Sequence, residues 1–524
     1  MVKRMKSDLD EFLAVASLYQ LGGLDTEAQH DFTVSLSHLA KDDLGEAIRE
    51  LHQVDLLAMR RFEPKATRLP ALAAAIDKTL AAGKRIFLCG CGATGRLSLS
   101  LEVFCREHML PPEQRERVTG FMAGGDLALI KSIENFEDHP EFGMRQLDEL
   151  GFADGDLLIS STEGGETPFV IGATERAAEV SANAPWFLYC NPDDKLVRLV
   201  ERSRRVIENP RIEKINLAVG AMAISGSTRM QASTVLMAAI GFAILHRKEP
   251  HEAQRAVTHF RELVESIDFS FLQPFVEKEA AAYESGEFVL YESERYGVTV
   301  VTDTTERAPT FSLPPLENQD DPSQPISWCY FHMRGQPDAA SAWRTLLLRE
   351  PRTLEWPEVR SIAGAQTLQG YDFSDQLLAK RAVRTHGARH HTFRIHDMGE
   401  TLVFDLDGLQ HGLPLDGVPP FSRHLILKLA LNIHSTLVMG RLGRYLDNLM
   451  THVKPSNNKL IDRSIRYVTQ LVQRRTGKAP DYKTVARVLF DERDKLQPGE
   501  PIVLKTMEAL LQQSHSVAHR PPLS

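Results

Sequence analysis

Apolar positions fall into two textures along the chain. Over residues 5–60 they recur at helical spacing. An acidic start at Ser7-Asp-Leu-Asp-Glu11 opens one periodic run, and Asp43-Leu-Gly-Glu-Ala-Ile48 leads into Leu51, Val54, Leu56 and Leu57. Residues 69–82 predict another helix, closed by Gly83. From residue 85 the apolar positions become short continuous runs. Strands are predicted at 85–89, 118–123, 156–160, 185–190 and 215–221, and helices from about 97 and at 140–150, 168–180 and 228–246. Such alternation, with crossover spacing, predicts a parallel sheet covered on both faces. Residues 251–285 read as charged helices linking two units. The pattern then restarts, with strands at 287–291, 298–302 and 326–333, a helix at 339–348, strands at 391–396 and 401–405, and a long apolar helix from about 422 to 439. Residues 455–515 read as helices with a turn at Ala479-Pro-Asp481. The segment 312–325, rich in proline and acid, is a loop of the kind that lies over a site.

Length alone, 524 residues, allows about three domains at 100–200 residues each. The net charge of −9, with no strongly basic tract, argues against a general nucleic-acid binder. A hydrophobic share of 43% with 25% charged residues is that of a folded globular protein rather than a disordered one. The longest uncharged apolar run, 230–245, is too short to span a bilayer, and no apolar stretch follows the basic start, so neither membrane nor signal peptide is expected. Five scattered cysteines (Cys89, Cys91, Cys105, Cys190 and Cys329) fit free thiols in a reducing cytoplasm. His386, His390, His391 and His396 have no compact zinc spacing, so no metal is expected there.

Three loops carry the candidate chemistry. Gly90-Cys-Gly-Ala-Thr-Gly95-Arg96 follows a strand and opens a helix, so its N–H groups and helix N-terminus suit an anion. Literally it is G-x-G-x-x-G, but the acid a dinucleotide site wants about 20 residues on is matched poorly by Asp126. No cofactor is therefore expected. In Ser160-Ser-Thr-Glu-Gly-Gly-Glu-Thr167, the hydroxyls of Ser161, Thr162 and Thr167 with successive N–H groups can hold a phosphate without lysine. Ser225-Gly-Ser-Thr-Arg229 opens the long helix, where it serves equally as an N-cap. Three such loops on strand ends of one parallel sheet converge where open α/β sheets bind ligands. Glu163 adds a carboxylate to the phosphate loop. Three arrangements are open: it faces away, it pairs with Arg96 or Arg229, or the ligand carries an amine.

These residues resemble the SIS (sugar isomerase) phosphosugar-binding family, most of all its group with N-acetylmuramic acid 6-phosphate etherase and the glucokinase regulatory protein. The first loop is similar to that group's G-x-G-T-S-G-R. Ala123-Gly-Gly125 with Ile133-Glu-Asn-Phe-Glu-Asp138 is similar to its A-G-G and E-x-x-E-D. The second loop is similar to S-x-S-G-E-T, and Gly226-Ser-Thr-Arg-Met230 to G-S-S/T-R-M, with Gln231 where a lysine is usual. Further on, Asp303-Thr-Thr-Glu-Arg-Ala-Pro-Thr-Phe311 resembles D-A-S-E-C-P-P-T-F. Asn448-Leu-Met450 and Ser456-Asn-Asn-Lys-Leu460 resemble N-L-M and T-N-x-K-L.

The resemblance implies an α/β fold of two SIS-type, flavodoxin-like parallel-sheet domains forming a pseudo-dimer. The expected division is a helical segment (1–65), a first SIS domain with the site (66–250), a helical linker (251–285), a diverged second SIS domain (286–450) and a helical cap (451–524). Aligning the strand at 287–291 with that at 85–89 puts Glu306 opposite Phe104. It implies Glu134 and Glu306 as acid–base residues. It implies a binding set of Gly92, Thr94, Gly95, Glu137, Ser161, Thr162, Glu163, Gly164, Thr167, Ser227, Arg229, Asn457 and Lys459. In the etherase, one glutamate removes the proton beside the carbonyl of an open-chain sugar 6-phosphate and lactate is eliminated. The resemblance therefore implies a cytoplasmic lyase or isomerase on a hexose or amino-sugar 6-phosphate. Its other branch implies a non-catalytic sugar-phosphate sensor whose partner is a sugar kinase. One chain holding both copies is expected as a monomer or a homodimer.

Overall fold

The protein is described by a computed structural model, which covers residues 2–133, 136–497 and 499–518. The N-terminal helical segment includes α1 (Leu44–Phe62), started by the Asp43 carboxylate accepting from the Glu46 N–H. Helix α2 (Leu69–Ala81) leads into the first sheet.

Five strands, β1 (Ile86–Gly90), β2 (Val118–Met122), β3 (Leu157–Thr162), β4 (Trp186–Tyr189) and β5 (Glu213–Asn216), pair in the order β2-β1-β3-β4-β5, all parallel. This is the flavodoxin-like doubly wound order. Alternate side chains enter different cores. Ile86, Leu88, Leu157, Ile159 and Leu188 face the helices shared with the rest of the chain, while Phe87, Cys89, Leu158, Phe187 and Tyr189 face the outer layer. Helices α3 (Ala93–Phe104) and α4 (Pro168–Val180) cross over between β1 and β2 and between β3 and β4, α5 (Gln231–Leu245) follows β5, and α6 (Pro250–Ser266) packs back on α2. The expected strand at 215–221 is shorter and earlier, because after Asn216 the chain turns into the loop before α5.

The second sheet holds β6 (Phe288–Glu292), β7 (Cys329–His332), β8 (His390–Met398), β9 (Thr401–Leu406) and β10 (Leu409–Pro414), in the order β10-β9-β8-β6-β7. Strands β7, β6 and β8 are parallel, repeating the β2-β1-β3 centre of the first sheet, and β8-β9-β10 is an antiparallel meander. The residues expected as a strand at 298–302 lie instead in α7 (Gly297–Phe311). The run Val-Thr-Val-Val-Thr has strand propensity, but its valines are buried on a helix. Thr302, Thr304 and Thr305 donate their hydroxyls to the carbonyls of Val298, Val300 and Val301.

Helix α8 (Pro420–Arg441) is buried from Phe421 to Gly440, as a helix between two lobes must be. It packs against α5, with the Phe421 ring lying over Gly241. One continuous apolar core therefore runs through both lobes. Helix α9 (Asn458–Thr476), capped by the Asn457 side chain accepting from the Leu460 N–H, returns across the first lobe. Among the described residues no helix is long and apolar enough to cross a membrane, and the five cysteines are free thiols.

Candidate functional site

A cavity of about 430 Å³ lies beyond the C-terminal ends of the neighbouring strands β1 and β3, lined by the loops that leave them in the first sheet. That is the topological switch point, where a doubly wound sheet leaves room for a ligand. It shares Lys131, Ser132, Ile133 and Lys454 with a broader cleft of about 830 Å³ leading outward.

The first-lobe loops form the floor. Gly92 adopts φ +56°, which lets the chain turn from β1 into α3 with its backbone facing the cavity. Thr94 sits behind this turn, its hydroxyl donating to the Cys91 carbonyl and accepting from the Cys91 N–H. Gly95 also lies behind, where a Cβ would meet Met122 at 2.6 Å, so its small size serves the packing of α3 on β2. In the second loop, Glu163, Gly164, Glu166 and Thr167 line the cavity. The hydroxyls of Ser161 and Thr162 stay within the sheet, on the Cys89 carbonyl and on Thr167. Ser227 and Arg229 contribute from the loop before α5. Glu134 lies outside the described residues.

The second lobe supplies the opposite wall through α7. Glu306 lines the cavity, and its Oε1 accepts from Arg96 Nη1 at 2.6 Å, both side chains being almost wholly buried. Arg96 also donates its Nε–H to the Leu129 carbonyl and Thr305 hydroxyl, so α3 and α7 are locked across the lobes. Arg229 pairs with Asp303 at 3.1 Å and donates to Ser435 and Thr436, while its buried Nε finds no hydrogen-bond partner among the described residues. Neither arginine takes Glu163. That carboxylate accepts from the Ser233 hydroxyl at 3.0 Å, and burial, with the Glu306 charge adding, pushes its pKa up to about 7.

The C-terminal segment closes the third side. Lys459 Nζ lies 3.0 Å from Glu166 Oε1. Burial opposes its charge, but Glu166 and Glu137 raise the ammonium well above the usual lysine range. Burial likewise opposes the Glu166 carboxylate, yet Lys459 and Arg202 pull it down to about 2. Asn457 donates to Glu137 Oε1 at 3.0 Å, fixing the side chain that also accepts from Cys91. Sequence reasoning missed Glu27, which lines the cavity and is gripped by Arg463 and Arg466. Arg463 had a signal: it stands four residues after Lys459, on the same face of α9. Asp126, the acid a dinucleotide would use, is occupied by Arg349 and the Arg352 N–H.

Residues 71–178 match the family model of the glucokinase regulatory protein N-terminal SIS domain. Over 218 residues the chain is 30% identical to N-acetylmuramic acid 6-phosphate etherase of Aeromonas hydrophila, covering 41% of this chain and 66% of that one. Over 212 residues it is 30% identical to N-acetylmuramic acid 6-phosphate etherase 1 of Bacillus licheniformis, covering 38% and 64%. The chain thus spans just under two thirds of the length of these relatives. Tagatose-6-phosphate ketose/aldose isomerase of Escherichia coli aligns in structure over 77% of this chain and 93% of its own, at 12% identity and a TM-score of 0.40. The first lobe carries a SIS domain, in a chain whose second sheet repeats the parallel centre of the first.

Proposed function

We propose that the chain binds a hexose or amino-sugar 6-phosphate in this cavity and acts on it by acid–base chemistry, as a lyase or isomerase related to the etherases. The observation that carries this reading is the meeting of Glu163 and Glu306, from two different lobes, on one cavity floored by glycine loops and closed by Lys459. In this reading the backbone at Gly92 and Gly164, with Thr167 and Ser227, holds the phosphate, and Asn457, Glu137 and Lys459 orient the sugar. A carboxylate takes the proton beside the carbonyl of the open-chain sugar. A protonated carboxyl then delivers a proton to the departing oxygen as the C–O bond breaks, or to the neighbouring carbon–oxygen pair in an isomerisation. A group poised near 7, as Glu163 is, suits either half. Glu306, which lines the cavity, and Glu134, from its sequence position alone, are the other two proposed acid–base residues.

The alternative is a non-catalytic sugar-phosphate sensor whose partner is a sugar kinase. One observation favours it: Glu306 Oε1 is already taken by Arg96 at 2.6 Å, so the side chain is fixed in an interlobe contact as well as lining the cavity. The deciding variant is Glu306→Gln, assayed for lactate release from N-acetylmuramic acid 6-phosphate and for turnover of other hexose phosphates, with binding followed calorimetrically. Lost turnover with binding intact supports the enzyme. If the wild-type chain turns over none of them, yet binds one and changes its affinity for a sugar kinase, the enzyme reading fails.

A further inference from the structure

The helix that opens at the first glycine loop does not end as an ordinary helix. After Phe104, the last residue of α3, the chain passes through one π-helical turn, Cys105–Met109. Such turns cost regular hydrogen bonding and recur at functional positions. Here the turn presents Glu107 and His108 side by side, facing α8 of the second lobe, and His424 of α8 faces them in return.

The three side chains form a compact donor set. Glu107 Oε2 lies 3.5 Å from His108 Nδ1 and 3.9 Å from His424 Nε2, and one donor atom from each of the three falls within 4.8 Å of the others. The two imidazoles are nearly parallel, 5° apart, with centroids at 5.9 Å. His424 is 1% exposed, and its orientation is fixed: Nδ1 meets the Thr299 hydroxyl at 2.8 Å while the ring packs at a tilt against Phe104 and edge-to-face against Tyr296. That leaves Nε2 aimed at the cluster. Among the described residues this buried nitrogen has no hydrogen-bond partner, and neither has either buried nitrogen of His108. Three orphaned imidazole nitrogens in one place are costly unless something else satisfies them.

We propose that Glu107, His108 and His424 form a transition-metal site, of the two-histidine, one-carboxylate kind that takes zinc, joining the two lobes. Imidazole and carboxylate donors together suit zinc rather than magnesium or calcium. Tetrahedral zinc sets its donors about 3.4 Å apart; Glu107 is already 3.5 and 3.9 Å from the two imidazoles, and the set, within 4.8 Å overall, must draw in by up to about 1 Å around an ion. Thr299 supplies the outer hydrogen bond that metal-bound histidines ordinarily have. Glu107 and His108 are partly exposed, which gives the ion a path in and leaves the fourth position to water. The site is distinct from the sugar-phosphate cavity, whose lining includes none of the three residues. Because one ligand comes from α8 and two from the end of α3, the ion would tie the lobes at the far end of the helix pair that Arg96 and Glu306 tie at the near end.

The test uses the full, tag-free chain, stripped with EDTA and titrated with zinc against a competing chelator, and separately with cobalt. One zinc per chain is expected, with a melting temperature that rises with free zinc and a tetrahedral cobalt spectrum in the visible. His108→Ala is expected to weaken zinc at least 100-fold and abolish the cobalt spectrum without lowering the melting temperature of the metal-free protein. His424 is a packing residue and its loss can unfold the chain, so Glu107→Gln serves as the second variant, with zinc weakened at least tenfold. Binding below one equivalent, or binding that His108→Ala leaves unchanged, overturns the proposal.

Discussion

Glu163 is the residue whose environment departs furthest from what its neighbours in sequence suggest. A carboxylate in a phosphate loop is unfavourable, and the structure resolves the conflict by burying it on Ser233 and raising its pKa from 4.5 to about 7. A folded-state pKa above the unfolded value means the neutral form stabilises the fold. That contribution is full below about pH 4.5 and is lost as pH rises through 7. At about 1.4 kcal/mol per unit it amounts to no more than about 3.5 kcal/mol. Asp55, also raised to about 7, titrates in the same window, so the difference between proteins is the useful quantity. Glu163→Gln is expected to melt higher than wild type at pH 8 and close to it at pH 5. Its affinity for a sugar phosphate is expected to hold across pH 6–8, while the wild type weakens as a second negative charge forms beside the ligand. Equal pH profiles in calorimetry and thermal melting would remove Glu163 from the site. The glycine loops around it were legible because turn and anion chemistry are local. The Arg96–Glu306 pair was not, since nothing in either segment names a partner in the other lobe.

Local signals also decided which elements could be read. The strands of the first lobe stand out because parallel strands are buried on both faces and read as apolar runs. The same rule misplaced residues 298–302, where β-branched residues fill a helix buried between lobes. It gave no hint of β10, whose Leu-Gln-His-Gly-Leu-Pro is an edge strand with few apolar residues. Helices α5 and α8 carry the contact that makes one core of two lobes. At Gly241 an added Cβ would stand 2.0 Å from the buried Phe421 ring. Alanine there should gain about 1 kcal/mol of helix propensity and lose more to overpacking, for a net destabilisation of about 1–2 kcal/mol in denaturant unfolding. A stabilised Gly241→Ala would show that the ring yields and that the helices are not closely packed.

At the scale of the molecule, the lobes are joined by buried charge as well as by apolar contact. Arg349 of the second lobe reaches into the first, its Nη2 lying 3.0 Å from both Glu102 Oε2 and Asp126 Oδ1. Arg352 adds a second guanidinium on Glu102. Burial opposes the Glu102 carboxylate, but Arg349 and Arg352 hold it below the usual range. Assembling such a cluster gains little net energy, whereas removing one member leaves charge buried without its partner. Arg349→Met keeps much of the side-chain volume and removes the charge. It is expected to cost about 3–5 kcal/mol at neutral pH, most of it at Asp126, which has no other guanidinium among its described partners and would keep only the Arg352 backbone N–H. The pH dependence gives the sharper check. A carboxylate with a lowered folded-state pKa stabilises above its unfolded value of about 4.5 and loses that stability as pH falls through the folded one. The wild type should therefore lose stability steeply on acidification. Arg349→Met, starting lower and with Glu102 nearer its ordinary range, should lose less, so that the two melting curves converge toward acid pH. Parallel curves would mean that the guanidinium packs against the first lobe without holding its acids, leaving the apolar core as what joins the two halves.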